Sequence, residues 1–404
     1  MRSRPSLRLQ RRRRAAGHPA PVHPFPEGRV GLSLGCLLGC LLLGFAPLAA
    51  QETGSPPGGE REERGDRSNG GGSGAALRLM VGNTGVGIGH VPRVNGLRVN
   101  WADRYLEEVT GVNLTFWRPR SSRSVGGTVR GLALGVAPQA GSIRGIGLGL
   151  AAVIGESDLA GIHVGGLAVV SSVSASGLSM GGLAVVSEGG LFGVSLGGLA
   201  TVAEGRMGGI QAGGLAVVAE ESMQGVQAGG LAVVAEGGLR GIQGGGLAVV
   251  SEGRMDGIQA GGLAVVSGGD ARGLQLGGLA VVANGDLDGI QVGGLAVVTE
   301  GNLRGVQAAL AGVMAQGSVH GVTVAGYRVK APEVRGLNVA GYSDVGRFQG
   351  VSVGAFHRLE MSVGLTVGLV NWADELRGLQ IGLLNRAGNN PTPFRVLPLV
   401  NAHF

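Results

Sequence analysis

The residues best suited to chemistry in this sequence are carboxylates. Glu188, Glu204, Glu220, Glu236, Glu252 and Glu300 occupy one place in a repeating text. Stacked acids bind cations, and paired acids perform acid/base work on polysaccharides. The column is broken by Ser172, Gly268, Asn284 and Gln316, and Arg206, Arg240, Arg254, Arg272 and Arg304 share the same turns. Like charges at ladder spacing repel, so the pattern predicts a solvated, self-neutralising turn face. His90, His163, His320, His357 and His403 show no ligand spacing. His357 and Glu360 are three apart, which puts them on opposite faces of a strand. His163 shares the place of a recurrent Gln and His320 precedes Gly321; both are expected at the surface. Gly-rich phosphate loops need a following Lys-Ser/Thr, and the only Lys is Lys330. Calcium-binding β-rolls need Asp at a fixed place in each unit, and Asp270, Asp286 and Asp288 are read as forming no such column. No catalytic, cofactor-binding or metal residue is assigned, and the chain is not expected to be an enzyme.

Charge and cysteine narrow the partners. The net charge is +6, but residues 1–50 hold eight Arg against one acid, Glu27. The remainder carries 25 basic and 26 acidic residues, a balance without the footprint of a nucleic-acid binder. Cys36 and Cys40 both lie in the first 50 residues, so disulfides, thiolate zinc sites and cysteine nucleophiles are excluded from the rest.

Residues 30–50 form an apolar stretch after an Arg-rich segment and end in small residues. That order predicts a signal peptide over 1–50, cleaved near Ala50. An uncleaved anchor and a lipidated Cys40 remain open alternatives. Residues 51–75 are Gly, Ser, Pro and charge without an apolar period, as in a disordered tether.

The elements that would carry any site come from a repeat. Gly recurs every 16 residues from Gly145 to Gly321, and units of 14 or 15 flank this run, with Gly131 before it and Gly336, Gly350, Gly364 and Gly378 after it. In the unit from Gly257, Ile258 and Ala260 alternate with Gln259, while Leu263 and Val265 follow the Gly261-Gly262 doublet at the opposite parity. This reads as two short strands with a Gly corner between them, Ile258, Ala260, Leu263 and Val265 facing inward. The Leu or Met of the turn, such as Met255, is expected to point back inward. Units that cannot bury a face alone must stack. The expected fold is all-β, a repeat β-solenoid with ~16-residue coils, Leu over Leu and Gln over Gln; at ~4.8 Å per coil the strict array would be a rod of ~55 Å.

The alternative is an up-and-down outer-membrane β-barrel, favoured by export and a terminal Phe404. Against it, Phe192 is the only aromatic between 118 and 326, and every turn has one length. The organisation is then 76–130 N-terminal cap and degenerate repeats, 131–320 repeat array, and 321–404 degenerate repeats and C-terminal cap. Trp101, Tyr105, Phe116 and Trp117 before the array, and Tyr327, Tyr342, Phe348, Phe356, Trp372, Phe394 and Phe404 after it, are expected to shield its ends. Asn-Trp-Ala-Asp occurs at 100–103 and 371–374, as if from one ancestral unit.

GLQIGLLNRAGNN from Gly378, the closing PFRVLPLVNAHF and VNGLRVNWADRYLEEVTGVNLTFW at 94–117 resemble the bacterial surface-repeat proteins first noted in leptospires, a family of outer-membrane proteins or lipoproteins with G-L-Q-I-G-L-x-N units. The resemblance implies a place at the cell surface or outer membrane of a Gram-negative bacterium and carries over no functional residue. This array departs from it by extra Gly and by Ala-Val-Val where the family often has Asn. The expected function is an exported, surface-associated structural or interaction scaffold. A pore and a polysaccharide-active β-helix enzyme are the alternatives. Its partner is an unidentified protein, glycan or membrane surface, and an outward aliphatic stripe formed by the Ala and second Val of Leu-Ala-Val-Val is the candidate contact.

Overall fold

The computed structural model describes residues 76–103, 106–117 and 126–404. The expected leader and tether, and Tyr105, lie outside these residues. Among the described residues every regular element is a β-strand, and the chain forms a β-solenoid with coils of about 16 residues. A coil of the array contains a longer strand, such as Met255–Gly261, and a four-residue strand, such as Ala264–Ser267. A bend at Gly262-Leu263 separates them. Each strand pairs in parallel with its counterparts in the coils before and after. Gln259 lies between Gln243 and Gln275, and Val265 between Val249 and Val281. An up-and-down barrel needs antiparallel neighbours, so the barrel alternative falls.

The recurrent glycine is a corner. Gly257 has φ +116°, and a Cβ placed on it would lie 2.2 Å from the carbonyl oxygen of Gly241. A side chain is therefore barred twice, by backbone conformation and by the neighbouring coil. The same relation links glycine to glycine from Gly85 through Gly111, Gly145 and Gly321 to Gly378. This column holds the register where coil length changes before and after the strict array.

Which side chains face inward differs from the expectation. Met255, Gln259, Val265 and Ser267 are buried, whereas Ile258 is 42% and Leu263 is 45% exposed. One parity runs from Met255 through Gln259 to Val265, so the Gly doublet does not reverse the faces; Leu263 sits on the bend itself. The apolar interior is mainly two columns, the residue two before each corner glycine, Leu or Met in most coils, and the first Val of Ala-Val-Val, joined by Ala203, Ala219, Ala235 and Ala283 after the second Val. The expectation of a buried Leu ladder is corrected: Leu231 is 44% exposed, and Val233 is the buried residue.

The ends are closed by backbone. At the N-terminal side Ala76–Val81 folds antiparallel onto Thr84–Gly89. At the C-terminal side Val396–His403 runs antiparallel along the preceding strand, Val370–Ala387. Pro398 lies in this last strand and lacks an N–H, which suits an edge that must not recruit another strand. The aromatic caps are corrected in the same sense. Phe348 is fully buried, but Trp101 is 69% and Phe404 is 98% exposed, so most of these rings decorate the outside.

Candidate functional site

Two residues after each corner glycine the side chain points into the coil, and this position forms a polar column along the interior. It begins with Arg98 and Asn113, passes His163, Ser179 and Ser195, and becomes glutamine from Gln211 to Gln307. Each glutamine Nε2 donates to Oε1 of the glutamine one coil earlier, from 2.8 Å at Gln227–Gln211 to 3.4 Å at Gln307–Gln291. In Gln211, Gln227 and Gln259 the same nitrogen also donates to a carbonyl three residues earlier in the same coil, at 2.9 Å from Gln211 to Gly208, and Gln243 reaches the Gly225 carbonyl of the coil before. The chain is terminated as well: Gln211 Nε2 donates to the Gly193 carbonyl, and Thr323 Oγ1 donates to Gln307 Oε1. A buried amide row stabilises only if its members are satisfied, and this one meets that condition by stacking.

His163 lies in this column and is fully buried, not at the surface. The room for it comes from Gly147 in the preceding coil, where a Cβ would stand 2.9 Å from the ring. Burial pulls its pKa down to about 4, partly offset by the backbone at Ile143. His320 is half-buried. His357 is buried with Nδ1 3.1 Å from Ser352 Oγ, while Glu360 is exposed, so the two face opposite ways as expected. Among the described residues no group of His, Cys, Asp or Glu is arranged to hold a metal.

The acidic turns are structural. Arg254 reaches Asp270, Arg272 reaches Asp288, and Arg304 reaches both Asp286 and Asp288, at 3.3–3.8 Å. Exposed pairs of this kind contribute little individually. Asp270 and Asp286 stack as one pair, and Asn302 continues them. Asp270 Oδ1 accepts from the Asp286 backbone, and Asp286 Oδ1 accepts from that of Asn302. The Asn302 N–H, together with that residue's amide and Arg304, holds the Asp286 carboxyl below its usual range against a smaller opposing effect of burial. Their acceptor capacity goes to neighbouring coils.

A polar knot near the N-terminal end was not legible beforehand. Asp103 Oδ1 accepts from Arg98 at 2.7 Å and from Asn100 and Asn113 at 2.9 Å, and its Oδ2 accepts from Thr115 at 2.7 Å. Arg98 and Asp103 are both fully buried. Burial draws the guanidinium pKa down while Asp103 opposes the shift. The second Asn-Trp-Ala-Asp does not repeat this. Asn371 is buried and bonds Asn385 at 2.7 Å, but Asp374 is exposed. Asn100 follows its corner glycine by four residues and Asn371 by seven, so the two fragments are not equivalent.

Outside, the Ile residues on the parity opposite to the buried one and the Leu residues on the bends leave an aliphatic ribbon along the solenoid. Ile210, Ile242, Ile258 and Ile290 are 42–50% exposed, and Leu231, Leu247, Leu263, Leu279 and Leu295 are 44–49% exposed. Between the two rows lies a channel of about 750 Å³ in the first half of the array, lined by Val164, Met180, Leu196, Ala212, Ala228 and the glycine doublets. The glycines floor it because the coils are too close there for a side chain: a Cβ on Gly262 would lie 2.0 Å from the Gly246 carbonyl oxygen. Ala264 and Val266, the expected stripe, are only half-exposed, so the Ile and Leu rows form the more open surface. No protein-family model, curated protein or solved structure matches the chain.

Proposed function

We propose that this chain is a noncatalytic scaffold, exported to the bacterial surface, that holds an apolar partner along its ribbon. The carrying observation is the ribbon: rows of Ile and Leu, each about half exposed, repeat coil after coil on a rigid support. An apolar surface of that extent on a folded protein marks a contact. A solenoid keeps the rows straight and evenly spaced, so affinity accumulates with length and does not depend on one pocket. The apolar segment at residues 30–50 and the resemblance to leptospiral surface-repeat proteins support the exported location.

Photo-crosslinking in a Gram-negative host tests this reading. A crosslinker placed at Leu247 is expected to capture an envelope component, while one at Glu252, on the charged turn, captures none. Crosslinks at Glu252 but not at Leu247 would refute the ribbon, and a cytoplasmic location of the protein would refute export.

A further inference from the structure

We infer that a cleft on the outer face of the last coils, among Tyr342, Phe356 and Trp372, binds a neutral, extended oligosaccharide. The cleft encloses about 530 Å³. It mixes rings with charge, because Asp344, Arg358, Glu360 and Asp374 also line it. The rings come from successive coils. Tyr342 and Phe356 stack with centroids 5.3 Å apart and planes 14° apart, and Trp372 stands opposite Arg358 in the adjoining ladder.

Two of the rings are held in place by guanidinium groups. Arg328 lies over Tyr342 at 5.4 Å and Arg386 over Trp372 at 4.0 Å. Each guanidinium is tied in turn to a carboxylate of the cleft, Arg328 to Asp344 at 2.5 Å and Arg386 to Asp374 at 3.6 Å. Rings oriented before a ligand arrives lower the ordering cost of binding.

The chemistry selects the ligand class. Asp344, Glu360 and Asp374 are matched by Arg328, Arg358 and Arg386, so the cleft has no net charge to favour an anion or a cation. Glu360 and Arg358 stand exposed on the rim and take no part in the ring clamps. One accepts hydroxyl protons and the other donates to hydroxyl oxygens. A sugar offers both partners on its edge and C–H groups on its faces for the ring faces of Phe356 and Trp372 not taken by Tyr342 or Arg386. A sugar ring in an extended chain also spans roughly the ~4.8 Å between coils, so consecutive sugars meet consecutive coils. This inference stands apart from the ribbon and does not rest on it.

Calorimetric titration of the full-length protein with cellohexaose and with chitohexaose tests the site. Saturable binding of at least one is expected, weakened about tenfold or more in Trp372→Ala by loss of the ring contact. Trp372→Phe, which keeps a ring, is expected to lose clearly less than Trp372→Ala, and Trp101→Ala, at the far end, is expected to stay within about twofold of wild type. Should Trp372→Ala not fold, Glu360→Gln at the exposed rim serves instead, with about a fivefold loss expected from one hydrogen bond to a charged group. Absence of binding to both sugars overturns the inference, as does undiminished affinity in Trp372→Ala or, where that variant does not fold, in Glu360→Gln.

Discussion

Gln259 donates through Nε2 to Oε1 of Gln243 at 2.9 Å, and both amides lie inside the coil while Leu263 and Leu247 lie outside it. The polar side chain is the one the interior keeps, since the stack itself supplies its partner.

Removing one member of this row exposes what it satisfied. In Gln259→Ala the Oε1 of Gln243 loses its donor and the Nε2 of Gln275 loses its acceptor. A cost of about 2–4 kcal/mol is expected from two buried groups left unpaired. Denaturant unfolding of the variant against wild type measures it.

Leu231 and Val233 are two residues apart and opposite in environment, 44% and 0% exposed. Leu231→Asp is expected to cost under about 1 kcal/mol, and Val233→Asp about 3 kcal/mol or more from an unpaired buried charge. Paired thermal unfolding curves check the order.

Glycines of one coil are not interchangeable. Gly257→Ala puts a Cβ at positive φ and against the Gly241 carbonyl, and a loss of at least about 2 kcal/mol is expected. A Cβ at Gly244 meets nothing within 4 Å, so Gly244→Ala is expected to be neutral or to stabilise by up to about 1 kcal/mol. Chemical denaturation of the two variants separates the corner glycine from one with open space beside it.

His163 makes stability depend on pH. Its folded pKa is about 4 against an ordinary 6.5, chiefly through burial. Between these values the unfolded chain binds a proton that the folded chain refuses. Stability is therefore full above about pH 6.5, falls as pH drops through the window, and levels off below about pH 4. His357 shifts in the same direction, by burial opposed by the Val367 carbonyl. His163→Ser, which matches Ser179 in the same column, is expected to flatten the profile by up to about 3 kcal/mol. Melting temperature against pH for the two proteins reads this out.

Much of the architecture was legible in the sequence, because an uninterrupted 16-residue period admits few ways to bury a face. Parallel stacking, the bend at the Gly doublet and the inward Met255 and Val265 all followed from it. The inward Gln did not, because apolar character alone points to Ile258 as the buried residue. A better signal was present: Met255, Gln259 and Val265 share one parity, and Ile258 does not. The aromatic cleft was beyond reach for another reason. Tyr342, Phe356 and Trp372 are 14 and 16 residues apart, and only the register of shortened coils brings them together.

Spin-label distances along one turn column test the stacking most directly. With Cys36 and Cys40 replaced by Ser, label pairs at Glu204 and Glu220, Glu204 and Glu252, and Glu204 and Glu300 span one, three and six coils. Separations rising in proportion, by ~4.8 Å per coil to about 29 Å for the longest pair, are expected from parallel coils. Separations that alternate between near and far, or stay constant with added coils, would contradict the solenoid.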